Sequence, residues 1–132
     1  MKFLLDTHLW WWWITGESGP SPAQKRILAR TSPEEPVLVS DISLWEIATL
    51  VSLERLSLTV PLREWLESAA APPLVQRCAI SPAVAAAVAE LPDGFHRDPA
   101  DRIIVATAQV HGAALLTRDE RIAAAKLVPT VR

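Results

Sequence analysis

The 132-residue sequence predicts an α/β fold, a three-layer α/β/α sandwich with a central parallel sheet. Three observations carry this reading. Short apolar runs alternate with longer stretches of helical character, as in sheets whose strands are buried on both faces. The helical stretches open on prolines or small polar residues, which favour helix starts. Acidic residues follow the apolar runs, at the carboxyl ends of strands, where open parallel sheets bind ligands.

Taken in order, residues 2–5 read as a first buried strand ending at Asp6, which is placed to cap a helix beginning at Thr7-His8-Leu9 and running through Trp13. The turn signals Gly16 and Gly19-Pro20-Ser21 lead into a helix over 22–30. Val37-Leu38-Val39-Ser40 is the second strand, and Ser40 is a good N-cap for a helix over 41–53. Pro61 introduces a helix over 62–70, residues 78–80 read as a strand, and Pro82 stands in the first turn of a helix over 82–91. Asp98-Pro99-Ala100-Asp101 opens a helix over 99–111, which Gly112 ends as its C′ residue. A strand over 114–117, a short helix over 120–125 and a strand over 128–131 complete the chain. No repeat, low-complexity tract or long linker divides it, so 1–132 is read as a single domain.

Composition narrows the function. Half of the residues are apolar, with a mean hydropathy of +0.20. Yet no apolar stretch reaches the roughly 18 residues that a membrane helix needs. One lysine and three apolar residues precede Asp6, which is no signal peptide. The single Cys78 excludes an internal disulfide and fits a reducing, cytoplasmic setting. A net charge of −2 and a pI near 5.9 exclude nucleic-acid binding by bulk electrostatics, so any such function needs a local site.

The informative residues are acids in apolar surroundings. Asp6 closes Phe3-Leu4-Leu5, Glu46 interrupts Ile42-Ser43-Leu44-Trp45-Glu46-Ile47-Ala48, Asp98 and Asp101 open the 99–111 helix, and Asp119 follows Leu115-Leu116-Thr117-Arg118. An unpaired carboxylate costs several kcal/mol to desolvate, so clustered acids call for cations. Hard oxygen ligands suit Mg²⁺ or Mn²⁺. Each acid also has a purely structural reading. Asp98 is an N-cap with Pro99 at N1 and Asp101 at N3, Asp119 caps the following helix or yields to a Thr117/Glu120 capping box, and Asp6 caps its own helix. Glu46 resists that account, because it shares a helical face with Ile42, Leu50 and Leu53. One shared site explains all of them more simply than independent capping does.

Four segments carry a family resemblance: Leu4-Leu5-Asp6-Thr7-His8-Leu9-Trp10, Ser40-Asp41-Ile42-Ser43-Leu44-Trp45-Glu46-Ile47-Ala48, His96-Arg97-Asp98-Pro99-Ala100-Asp101-Arg102-Ile103-Ile104-Val105-Ala106, and Leu115-Leu116-Thr117-Arg118-Asp119. In order and spacing the chain resembles PIN-domain ribonucleases, specifically the VapC-type toxins of type II toxin–antitoxin pairs. The resemblance implies that Asp6, Glu46, Asp101 and Asp119 form the acidic quartet and hold Mg²⁺, with Mn²⁺ as a possible substitute. It puts Asp101 rather than Asp98 third, just ahead of the Arg-Ile-Ile-Val-Ala run, and keeps Asp98 as an auxiliary candidate. Thr117 matches a hydroxyl that the family uses near the last acid. It further implies RNA phosphodiester hydrolysis by a metal-activated water, leaving 5′-phosphate and 3′-hydroxyl ends, a VapB-type antitoxin partner and a homodimer. The alternative is a PIN-like interaction module without catalysis, for which missing acids would be the signature.

Around the acids, Arg97, Arg102 and Arg118 are candidates for phosphate steering or for pairing with the acids. His8 and His96 read best as locally hydrogen-bonded side chains. Three histidines and one cysteine lack zinc-ligand spacing. Trp10-Trp11-Trp12-Trp13 spreads around a helical turn, which predicts core positions for Trp10 and Trp13 and an exposed patch for an interface or base stacking. Competing enzyme classes fail on motif. Haloacid dehalogenase-like phosphatases need an aspartate at the position of His8, phosphoreceivers need paired early acids and a late lysine, and no glycine-rich phosphate loop is present.

Overall fold

The computed structural model describes residues 1–132. Its elements run β1 (Phe3–Leu5), α1 (Thr7–Thr15), α2 (Pro22–Ala29), β2 (Val37–Ser40), α3 (Asp41–Ser52), α4 (Leu62–Ala69), β3 (Val75–Cys78), α5 (Pro82–Ala89), α6 (Pro99–His111), β4 (Ala114–Leu116), α7 (Glu120–Ala125) and β5 (Thr130–Val131). All strand pairs are parallel, in the order β3-β2-β1-β4-β5. This is the three-layer α/β/α sandwich that the alternation predicts.

Strand alternation builds two cores. Leu4, Leu38 and Leu115 face one side, where they meet Ile104, Val105 and Ala108 of α6 and Ile122 of α7. Leu5, Val37, Val39 and Leu116 face the other, against Leu9, Trp10 and Trp11 of α1, Leu28 of α2 and Ile47 of α3. Successive strand side chains point to opposite faces, so each strand feeds both layers. A strand that is apolar at every position therefore belongs in the middle of such a sheet, which is where β1 and β4 lie.

Local capping sets the helix starts. Ser40 accepts from the Ile42 N–H at 3.2 Å, as expected for α3. Ser21 and Gln24 form a reciprocal capping box at α2, and Gly112 ends α6 in the left-handed region at φ 62°.

Three sequence expectations shift. The third strand is Val75–Cys78 rather than 78–80. It is an edge strand whose buried Val75 and Cys78, one in each core, bracket exposed Gln76 and Arg77, so its pattern is half polar. The last strand shortens from 128–131 to Thr130–Val131. The tryptophan run also packs differently. Trp10 and Trp11 are the buried pair, both against Trp65 of α4, with ring centroids 5.4 and 5.2 Å apart, and Trp10 Nε1 donates to the Ala69 carbonyl at 2.9 Å. Trp12 and Trp13 are half-buried, so the run forms no broad exposed patch. The strongly exposed tryptophan is Trp45, at 61 %.

Candidate active site

The chain steps outward from β1 through β2 to β3, then returns to the other side of β1 for β4 and β5. Crevices form where the direction of progression reverses, at the carboxyl ends of the strands. Asp6 follows β1 there, and Thr117 and Asp119 follow β4. Because α6 leads into a parallel strand, its N-terminus lies at the same edge, which brings in Asp98 and Asp101. A cleft of about 380 Å³ opens at this place. Asp6, Glu46, Asp98, Asp101 and Asp119 all line it, with Thr7, His8, Trp12, Arg118 and Arg121.

The capping reading and the site reading describe the same residues. Asp6 caps α1, its Oδ1 accepting from the Leu9 N–H at 2.9 Å. Asp98 caps α6, its Oδ1 accepting from Ala100 and Asp101 at 3.0 and 3.2 Å. Asp119 caps α7, its Oδ1 accepting from Arg121 and Ile122 at 2.8 and 3.3 Å. In each case the cap bonds use Oδ1, and the backbone thereby fixes the carboxylate at the cleft. A cap with one oxygen committed still has acceptor capacity on the other.

Glu46 is positioned by side chains. The Thr7 hydroxyl donates to its Oε1 and lies 2.9 Å from the Ser43 hydroxyl. Thr117 is fully buried between two acids. Its hydroxyl accepts from the Asp119 N–H at 3.0 Å and faces Asp6, whose charged form it favours. Asp101, at N3 of α6, has no cap bond. Its Oδ2 lies 3.5 Å from His96 Nε2, and both ring nitrogens of His96 are buried without hydrogen-bond partners.

Electrostatics separates the acids. Burial, then the charges of Asp98, Glu46, Asp119 and Asp6, push Asp101 up to about 7. Burial raises Asp6 against the opposing Thr117 hydroxyl and Leu9 N–H. Burial also raises Glu46, with Asp98 and Asp6 adding to it and Thr7 opposing. Asp119 goes the other way. Burial alone would raise it, but the N–H donors of Ile122 and Arg121 and the nearby Arg121 guanidinium hold it below the usual carboxylate range.

This donor set suits a hard divalent cation, whose charge would relieve the repulsion that raises Asp101. No three acidic, histidine or cysteine side chains converge on one point. Mg²⁺ does not require that, since it keeps several waters and takes one or two carboxylates directly.

The flanking residues divide differently from the sequence reading. Arg118 lines the cleft and donates to the Gly19 carbonyl at 3.2 Å. Arg102 does not line it. Its guanidinium reaches the Phe95 and His96 carbonyls, both at 3.4 Å, and lies 6.0 Å from the Phe95 ring centroid, so it holds the loop before α6. Arg97 is exposed and also absent from the cleft lining. Thr7, Ser43 and Arg121 received no site role from sequence, whereas Trp12 belongs to the tryptophan run expected to offer a patch for an interface or base stacking. The only local signal was Arg121, two residues past Asp119 in the first turn of α7.

Comparison with known proteins agrees with this fold. The family described as the PIN domain matches residues 3–127. The chain is 38 % identical to ribonuclease VapC22 of Mycobacterium tuberculosis over 119 residues, 90 % of this chain and 88 % of the relative. The chain is a VapC-type PIN-domain protein. Solved structures resemble this PIN domain over nearly its whole length. A chain of the FitAB complex bound to an IR36 DNA fragment superposes with a TM-score of 0.70 at 25 % identity, covering 98 % of this chain and 93 % of that one. A chain of VapBC2 from Rickettsia felis, solved with promoter DNA, gives 0.71 at 17 % identity and 99 % and 98 % coverage, a likeness of fold.

Proposed function

We propose that this PIN domain is a Mg²⁺-dependent endoribonuclease, with Mn²⁺ as a substitute, and the toxin of a type II toxin–antitoxin pair. The observation that carries the proposal is five carboxylates lining one cleft, with Asp101 pushed up to about 7 by burial and by its acidic neighbours. Relationship to a protein named a ribonuclease supports the activity, and likeness to chains in the FitAB and VapBC2 complexes supports a VapB-type antitoxin partner. We further propose RNA as the substrate, a homodimer as the assembly and the cytoplasm as the site of action.

In this reading Asp6 and Asp101 hold the ion, and Glu46 and Asp119 complete the site directly or through water. Bound there, the cation would neutralise charge on the scissile phosphate and make a water more acidic. The chain's own residues do the positioning. Leu9 N–H and Thr117 fix Asp6, Thr7 fixes Glu46, and the first turn of α7 fixes Asp119. Arg118 and Arg121 supply positive charge in a cleft that would otherwise repel a polyanion.

The test is cleavage of a mixed RNA pool by the purified chain, with Mg²⁺ and with EDTA. Metal-dependent cutting is expected, and Asp101→Asn is expected to slow it at least a hundredfold or so, because metal charge stabilisation amounts to several kcal/mol. Cutting that survives in Asp101→Asn would transfer the third ligand to Asp98. Absence of cutting by the wild type across the pool would favour a PIN-like interaction module instead.

A further inference from the structure

Trp12 is the one apolar residue in the lining of the acidic cleft. Its neighbours Trp10 and Trp11 turn into the core against Trp65, whereas Trp12 remains half-buried beside the acids. The indole is held closely. A Cβ on Gly19 would come within 2.2 Å of its Cδ2 and 2.5 Å of its Cε2 and Cε3, so only glycine permits the backbone to lie against the ring. The carbonyl of that same Gly19 is bound by Arg118, another cleft residue, at 3.2 Å. The exposed His8 ring stands beside the indole, with centroids 5.8 Å apart and planes tilted by 47°.

We propose that Trp12 is a stacking platform for an unpaired nucleobase next to the scissile phosphate, with Arg118 meeting the adjoining phosphate. The inference rests on the nuclease reading and adds to it the residues that would hold a base and its phosphate beside the acids. Every base has a π-face, so stacking on a rigid aromatic selects for an accessible base rather than for a sequence. A base inside a duplex offers no such face, so a platform of this kind takes its base from a loop or a single strand. Arg118 suits the companion role because a guanidinium fork matches phosphate oxygens, and its tie to Gly19 couples its placement to that of the indole.

The experiment is a titration in Mg²⁺ of fluorescein-labelled short RNA of mixed sequence, and of an abasic ribose-phosphate oligomer of the same length. The protein is the full chain carrying Asp101→Asn to slow cutting, and binding is read before any product accumulates. Base-bearing RNA is expected to bind more tightly than the abasic oligomer. Adding Trp12→Leu should weaken the base-bearing RNA by roughly five- to a hundredfold, the range to which aromatic stacking energies convert, and leave the abasic oligomer unchanged. Trp12→Phe should retain most of the affinity. Equal binding of the two oligomers by the chain with Trp12 intact overturns the proposal without needing any Trp12 variant to fold. So does a Trp12→Leu variant that binds as tightly as its parent, or that loses affinity for both oligomers alike. Cutting plays no part in these titrations, so failure of stacking is read here and failure of the nuclease reading in the cleavage assay.

Discussion

Thr7 begins α1 with its backbone while its hydroxyl reaches across to Glu46 and Ser43 on α3. Replacing it by valine keeps the shape and removes the donor. Thr7→Val should cost about 1 kcal/mol of stability, the usual net value of such a bond. It should also slow cutting by about tenfold through kcat rather than KM, since Glu46 loses its orientation while the rest of the cleft stands. Thermal unfolding and steady-state cleavage of one substrate check both parts. Residues of this kind explain what sequence could and could not reveal. Asp6, Asp98 and Asp119 were legible because a capping aspartate at a strand–helix junction has a local signature, and the junction lies where ligands bind. Thr7 had none, because its partner is 39 residues away. The packing of the tryptophans was equally hidden. Helical periodicity spreads four indoles around a turn, but Trp65, far along the chain, and Gly19, beyond the end of α1, decide which of them enter the core and which reach the cleft.

Among the elements, α2 contributes no residue to the acidic cleft yet is fastened to the edge of the sheet that carries the acids. Gln24 is fully buried, and its Nε2 donates to the carbonyls of Thr117 at 3.0 Å and Val131 at 2.7 Å. Gln24→Ala takes the donor from the buried Thr117 carbonyl, while the Val131 carbonyl keeps the Thr117 N–H, and should destabilise the chain by roughly 1–3 kcal/mol. The loss should appear in chemical denaturation, with metal-dependent cutting retained at temperatures where the variant is folded. The Ser21-x-x-Gln24 spacing marks a helix start, but nothing in it discloses that the same amide ties the helix to β4 and β5. Strand legibility followed burial. The central runs ending at Leu5 and Leu116 were placed to within a residue, because burial on both faces makes every position apolar. β3 was misplaced by three residues at its start, because an edge strand can expose Gln76 and Arg77 and forfeit that signal.

For the molecule as a whole, the acids couple stability to pH and to cations. Below about pH 4 Asp101 is protonated in both folded and unfolded chains. As pH rises toward 7, the unfolded chain releases that proton while the folded chain retains it, so stability falls through this window and levels off above it. The raised Asp6 and Glu46 act in the same direction. Asp119 opposes them, because its lowered value stabilises the fold above the ordinary carboxylate range and that contribution is lost on acidification. The metal-free chain should therefore melt several degrees higher at pH 5 than at pH 8, and Asp101→Asn should flatten the difference. Mg²⁺ should raise the melting temperature at pH 8 and do little at pH 5, where protons occupy its ligands. Melting curves in EDTA and in Mg²⁺ at both values test this, and identical curves at pH 8 would contradict a cation site.

The order of the sheet also fixes when the chemistry can exist. β1 is made first, but it pairs on one side with β2 and on the other with β4, which begins only at Ala114. The cleft acids arrive at intervals from Asp6 to Asp119. A ribosome making this chain thus carries no complete cleft until the segment bearing Asp119 has emerged. On the proposed toxin reading, that late closure gives a neutralising partner the time of synthesis up to Asp119 in which to be ready.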